Sequence, residues 1–140
     1  MPGRRYPAGV LHHLTLWVPD LDRAAPSWRW LLCETLDYAL DDGPADARLL
    51  RFRQPGECTI VLEESADMVP GMLHSRLRPG LNHLAFTVAS VDALAQTIEA
   101  ARSHGWSPLP GDPHPIAGGA EVAYLEDRDG FEVELVAPAG

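Results

Sequence analysis

The chain contains no lysine: all 11 of its basic residues are arginine. That absence excludes Schiff-base chemistry on a lysine and a lysine-bearing phosphate loop. Cysteine is almost missing as well. Cys33 and Cys58 stand far apart, form no Cys-x-x-Cys pair and are read as core residues. No apolar run approaches 18 residues and no signal-peptide pattern is present, so no membrane partner and a reducing cytoplasm are expected. Positive charge is scarce overall. Twenty acidic residues against 11 basic ones give a formal net charge of −9. Such a chain lacks the basic stripe that displaces counterions from nucleic acid, so no nucleic-acid partner is expected.

What remains is ordinary for one globular domain: 140 residues, 46% of them apolar and 22% charged. The informative feature is a repeat. His13-Leu-Thr-Leu-Trp-Val18-Pro-Asp-Leu-Asp22 lies over His83-Leu-Ala-Phe-Thr-Val88-Ala-Ser-Val-Asp92, 70 residues later and half the chain away. Each stretch alternates. Leu14, Leu16 and Val18 take one face, with His13, Thr15 and Trp17 on the other. Leu84, Phe86 and Val88 likewise oppose His83, Ala85 and Thr87. An imidazole with small or polar neighbours suits the lining of a wet pocket. His12 falls with the leucines, so the adjacent histidines are not expected to serve one pocket.

Asp20 and Ser90 are expected to cap helices that follow these strands, the first interrupted by Pro26. Three strands are expected after the first helix, over 37–41, 47–53 and 58–63. After the second come a short strand at 106–109 and a hairpin, 121–126 with 131–136, about Arg128-Asp129-Gly130. The fold class is therefore α+β: two tandem βαβββ modules forming a curved mixed sheet around a central cleft. Module 1 spans about 10–64, a linker 65–79, and module 2 about 80–137, in one domain over residues 1–140.

Glu132 and Glu134 share one face of the last strand, and two carboxylates in one concavity need solvent, a partner or a cation. If the halves pair about a pseudo-twofold, their first strands lie side by side. His13 then meets His83, and Glu134 flanks His83 on the neighbouring strand. Two imidazoles and a carboxylate with open positions form a facial triad suited to Fe, Mn, Ni, Co or Zn.

The duplicated order, Gly80-Leu-Asn-His83-Leu-Ala-Phe and Tyr124-Leu-Glu-Asp-Arg-Asp-Gly-Phe-Glu-Val-Glu134-Leu resemble the vicinal oxygen chelate superfamily over about 10–137. This is the group of glyoxalases, bleomycin-resistance proteins and extradiol dioxygenases. The resemblance implies His13, His83 and Glu134 as ligands of a divalent metal. The fourth ligand of some members falls near Val61, which cannot ligate, and Glu63 reaches that place only with a register slip of two. Tyr124, Asp127, Gly130 and Glu134 also echo an extradiol-dioxygenase motif in which proline stands where this chain has Arg128.

The implied activity is that of a glyoxalase-like metalloenzyme on a small oxygen-chelating substrate, by lyase, isomerase or extradiol-type chemistry. Glu132, Tyr124 and Glu63 are its catalytic candidates. Thiol transfer to fosfomycin is not expected, because the sequence ends soon after the last strand. The alternative is a metal-free drug-binding protein of the bleomycin-resistance type, and a third reading is a degenerate structural module. A homodimer is expected, because the saddle's edge strands need cover, and the modules either pair within a chain or swap between two. His114 with Gly118 and Gly119 suggests a lid. His74, Arg76 and Arg78 are read as a solvated linker, and His104 as a surface residue matched to a helix C-terminus.

Overall fold

The computed structural model describes residues 7–44, 46–110 and 121–139. Both expected caps form. Asp20 accepts from the Arg23 amide at 3.1 Å and Ser90 from the Ala93 amide at 3.0 Å, satisfying donors that a helix start leaves open. Module 1 runs β1 His13–Trp17, α1 Leu21–Arg29, β2 Ala39–Asp42, β3 Leu49–Arg53 and β4 Thr59–Glu63. Pro26 is accommodated inside α1, which widens into a π-helical turn at Trp30–Thr35. Module 2 runs β5 Leu84–Thr87, α2 Val91–Ala101, β6 Ser107–Pro108, β7 Glu121–Glu126 and β8 Glu132–Ala137.

The two βαβββ modules are thus as expected, and each forms a four-stranded mixed sheet. The orders are β1-β4-β3-β2 and β5-β8-β7-β6, with the first strand parallel to the last in both. The pairing between modules differs from the side-by-side expectation. Among the described residues β1 and β5 are not bonded to each other, and each is the edge of its own sheet.

The modules are joined instead through α1. Trp28 is fully buried against module 2, edge-on to Trp106 at 5.0 Å and to Phe131 at 6.3 Å. Its indole N–H donates to Asp127 Oδ2 at 3.0 Å, and the Trp106 indole donates back to the Ser27 carbonyl at 2.9 Å. Gly105 makes this approach possible: with φ of 84°, a Cβ there would lie 2.3 Å from Ser27 Oγ. Arg23 adds an ion pair to Asp129 at 3.4 Å, and Trp30 stacks on His104 at 4.5 Å. His104 is therefore part of the junction as well as the helix end.

Asp127 organises the β7–β8 turn from the other side. Its Oδ1 accepts from the Asp129 and Phe131 amides, both at 2.9 Å. Burial nevertheless dominates and pushes its carboxyl up to about 6 from 3.8. A raised carboxyl contributes stability that is full below about 4 and is lost as the pH rises through about 6. The shift of about 2 units corresponds to roughly 3 kcal/mol. Asp127→Asn keeps one carbonyl oxygen for the turn and cannot ionise. The difference in unfolding free energy between wild type and variant, followed by urea titration from pH 4 to 7, is expected to change by that order, with the wild type losing ground as the pH rises.

The linker is no loose strap. His74 stacks on Phe131 at 4.2 Å, and a Cβ on Gly130, whose φ is 89°, would come within 3.0 Å of the His74 carbonyl. Residues 65–79 are thus fastened in part to module 2, correcting the solvated reading for His74.

Candidate functional site

Module 2 presents half of the expected site. His83 stands just before β5, Glu134 opposite Ala85 on β8, and Tyr124 opposite Glu134 on β7. His83 Nε2 lies 3.6 Å from Glu134 Oε2, and the Tyr124 hydroxyl donates to Glu134 Oε1 at 2.7 Å. That hydrogen bond, then burial and the charges of Glu134 and Glu132, push the Tyr124 phenol up to about 12. Tyr124 therefore stays a donor across the physiological range. Glu132 is 3.9 Å from His83 Nδ1 and the same distance from Arg76 Nε.

The tautomer of His83 follows from its neighbours. Asn82 Nδ2 donates to the Arg76 carbonyl at 3.0 Å, which fixes Asn82 Oδ1 as the end facing His83. His83 Nδ1, 2.6 Å away, must then carry the proton. With Nδ1 turned to Asn82, Nε2 is the ring nitrogen beside Glu134. An outer partner holding one ring nitrogen so that the other is free to ligate is the usual device at metal-binding histidines. Asn82 and Arg76 were not legible as site residues. Asn82 adjoins a histidine, but nothing in the pattern says where its amide turns. Arg76 lies in the linker, and only its 2.7 Å bond to Glu126 shows that it belongs to this sheet.

Module 1 presents a different wall. Strand register sets its open face in rows: His13, Thr59, Arg53 and Ala39; then Thr15, Val61, Arg51 and Asp41; then Trp17, Glu63 and Leu49. Several of these residues line a cavity of about 310 Å³. His12 also faces it, because β1 starts only at His13 and the alternation does not reach back. Its Nδ1 lies 2.8 Å from His13 Nδ1. The expected separation of these two histidines is therefore corrected. By the repeat, Val61 stands where module 2 has Glu134, and Thr59 where it has Glu132. No register slip brings Glu63 into Val61's place: Glu63 is opposite Trp17, whose indole donates to it at 2.8 Å.

The structure thus brings His83, Glu134, Glu132 and Tyr124 together and places His13 and Glu63 on a separate wall. Among the described residues no three histidine, cysteine or acidic side chains are grouped to hold a metal ion. The His83–Glu134 pair fits a divalent cation by donor chemistry, but one chain supplies only part of a ligand set. Between the modules, Leu14, Tyr38, Ile60, Leu84 and Phe86 border a second cavity of about 530 Å³. Cys58 lines this cavity, and both thiols are half-buried, with burial raising each above its usual value. His114, Gly118 and Gly119 lie outside the described residues.

Comparison with known proteins agrees with this architecture. Residues 12–124 match the Glyoxalase/Bleomycin resistance protein/Dioxygenase superfamily. The uncharacterised protein YqjT of Bacillus subtilis (strain 168) is 32% identical over 92% of this chain and 99% of its own. A 2-epi-5-epi-valiolone epimerase from Actinomyces sp is also 32% identical, over 100% of this chain and 86% of its own. Among solved structures, a candidate glyoxalase from Bacillus halodurans superposes with a TM-score of 0.78 at 32% identity, covering 94% of this chain and 97% of that one. The fosfomycin resistance protein FosX of Listeria monocytogenes, in a complex with Mn(II) and sulfate, shares the fold with a TM-score of 0.65 at 21% identity, over 94% and 91% of the two chains. The repeat, the paired βαβββ modules and these matches together show that the chain belongs to the glyoxalase/bleomycin resistance protein/dioxygenase superfamily.

Proposed function

We propose that the protein is a divalent-metal-dependent enzyme acting on a small oxygen-chelating substrate, and that its site is shared between two copies in a homodimer. His83 and Glu134 of one copy and His13 of the other would hold the ion. The observation that carries this reading is the state of His83: its Nδ1 proton is committed to Asn82, and Nε2 is turned toward Glu134. The β1 and β5 edges, which pair with no further strand among the described residues, support the second copy, since exposed edges invite pairing; His13 lies on the first, and His83 adjoins the second.

Among the reactions open to the superfamily, proton transfer at a carbon beside a chelating oxygen fits best, as in an epimerase or another isomerase. The full-length similarity to an epimerase favours it. A bound divalent ion would supply a Lewis acid for two substrate oxygens. Glu132, on the half with His83, would take the proton, and Glu63, on the half with His13, would return it from the other side. Tyr124 would hold Glu134 in place. No helix among the described residues is long and apolar enough to cross a membrane.

Protein purified without added metal is expected to hold near one transition-metal ion per chain, measured by elemental analysis. His83→Ala and Glu134→Gln should lose it. Adding Mn²⁺ to stripped wild type at a hundredfold over Kd should stabilise it by about 2.7 kcal/mol, with no such gain in either variant. Metal-free protein that gains nothing from Mn²⁺, Fe²⁺, Ni²⁺ or Zn²⁺ would overturn the reading. If that protein still bound a cationic drug saturably, the bleomycin-resistance alternative would replace it.

A further inference from the structure

We propose that Arg51 and Arg53 form an oxyanion subsite on the module 1 wall, so that the substrate carries an acidic group, a carboxylate or phosphate, in addition to its chelating oxygens. The subsite stands on module 1 alone; only its link to a chelating head rests on the metal-dependent reading above.

Register places the two arginines on the face of β3 that also bears the cavity with His13. Arg53 shares a row with His13, two strands away across Thr59. At about 4.8 Å per strand, the backbones are roughly 10 Å apart. A small molecule held at His13 would therefore reach a guanidinium with its far end. Thr15 and Thr59 offer hydroxyls along the way.

The arginine donors are not internally matched. Both arginines lean on one carboxylate, Asp41, at 3.8 Å from Arg51 Nε and 3.3 Å from Arg53 Nη2. One carboxylate is thus shared between two guanidiniums and leaves donors of both forks free. Glu63, the other acid on this wall, sits a row beyond Arg51 and is held by Trp17. The Arg51 Nε is buried and has no hydrogen-bond partner among the described residues, because 3.8 Å to Asp41 is too long for one. A buried donor left unmatched is costly, and an incoming oxyanion would satisfy it. Guanidinium forks also match carboxylate and phosphate oxygens in pairs. In a chain of net charge −9, a concave wall bearing two adjacent guanidiniums is a local exception that would draw an anion in.

The primary test needs no metal. EDTA-treated protein is titrated with inorganic phosphate while the Nε–Hε NMR signal of Arg51 is followed. A saturable shift is expected. Arg53→Gln should weaken the apparent affinity at least about fivefold, and Asp41→Asn, which removes the competing carboxylate, should strengthen it. No saturable shift, or equal affinity in wild type and Arg53→Gln, overturns the subsite. A second arm compares 2-oxoglutarate with 2-oxopentanoate in the presence of Mn²⁺; both have the same chelating head and only the first has a distal carboxylate. About a tenfold preference for the diacid is expected, lost in Arg53→Gln. Metal-dependent binding of both acids with no preference leaves the metal site standing and sinks the subsite. Phosphate binding without any metal-dependent binding does the reverse.

Discussion

Trp28→Ala is expected to lower the unfolding free energy by about 3–5 kcal/mol, the range for removing a large aromatic side chain from a core. Trp28 has no exposed surface and is the place where module 1 reaches into module 2. Truncation would open a cavity bounded by Trp106 and Phe131, both anchored by their own contacts and unable to collapse into it. It would also strip the indole donor from Asp127 Oδ2. Trp28→Phe separates these effects. It keeps much of the apolar contact while removing the N–H, and a loss of about 1–3 kcal/mol is expected. Urea titrations check both through the midpoint at constant slope. A loss below about 1 kcal/mol in Trp28→Ala would show that α1 does not dock on the second half of its own chain.

The second large effect concerns the proposed sharing of the site. His13→Ala and His83→Ala homodimers should each bind metal poorly and be inactive. Mixed, unfolded and refolded together, they should recover. Random pairing makes about half the dimers mixed, and each mixed dimer has one complete set of ligands and one set lacking both histidines. Metal content should return to about a quarter of the wild-type value. If every ligand came from one chain, no mixing could restore any. The experiment thus tests the sharing separately from metal binding itself, which the single variants report.

Much of this was legible because it depends on local rules. The repeat of His13 to Asp22 in His83 to Asp92 gave the two modules, and the caps at Asp20 and Ser90 gave the helix starts. The parity of Glu132 and Glu134 with His83 followed from two-residue alternation alone, which the register of β5 on β8 bears out. That the fourth-ligand place falls near Val61 came from the resemblance, and the structure sets Val61 opposite Thr15. What was not readable depends on where distant segments meet. Alternation cannot say whether β1 lies beside β5, since either arrangement satisfies both strands' apolar faces. It fails at His12 because the strand begins one residue later. Arg76 and His74 looked like solvated linker because their partners, Glu126 and Phe131, are some 50 residues away. Trp28 gives no local sign of its role for the same reason: its hydrogen-bond partner is 99 positions along the chain.

That separation has a consequence for synthesis. During translation the first half emerges with the Trp28 indole lacking the module 2 surface it packs against. Trp106, Asp127 and Phe131 are made only well after it. The nascent first half therefore carries a sticky indole and an unpaired β1 edge together, the combination that invites mispairing between ribosome-bound neighbours. Docking of α1 on module 2 must wait for closure of a loop of 99 residues, the kind of non-local contact that slows folding.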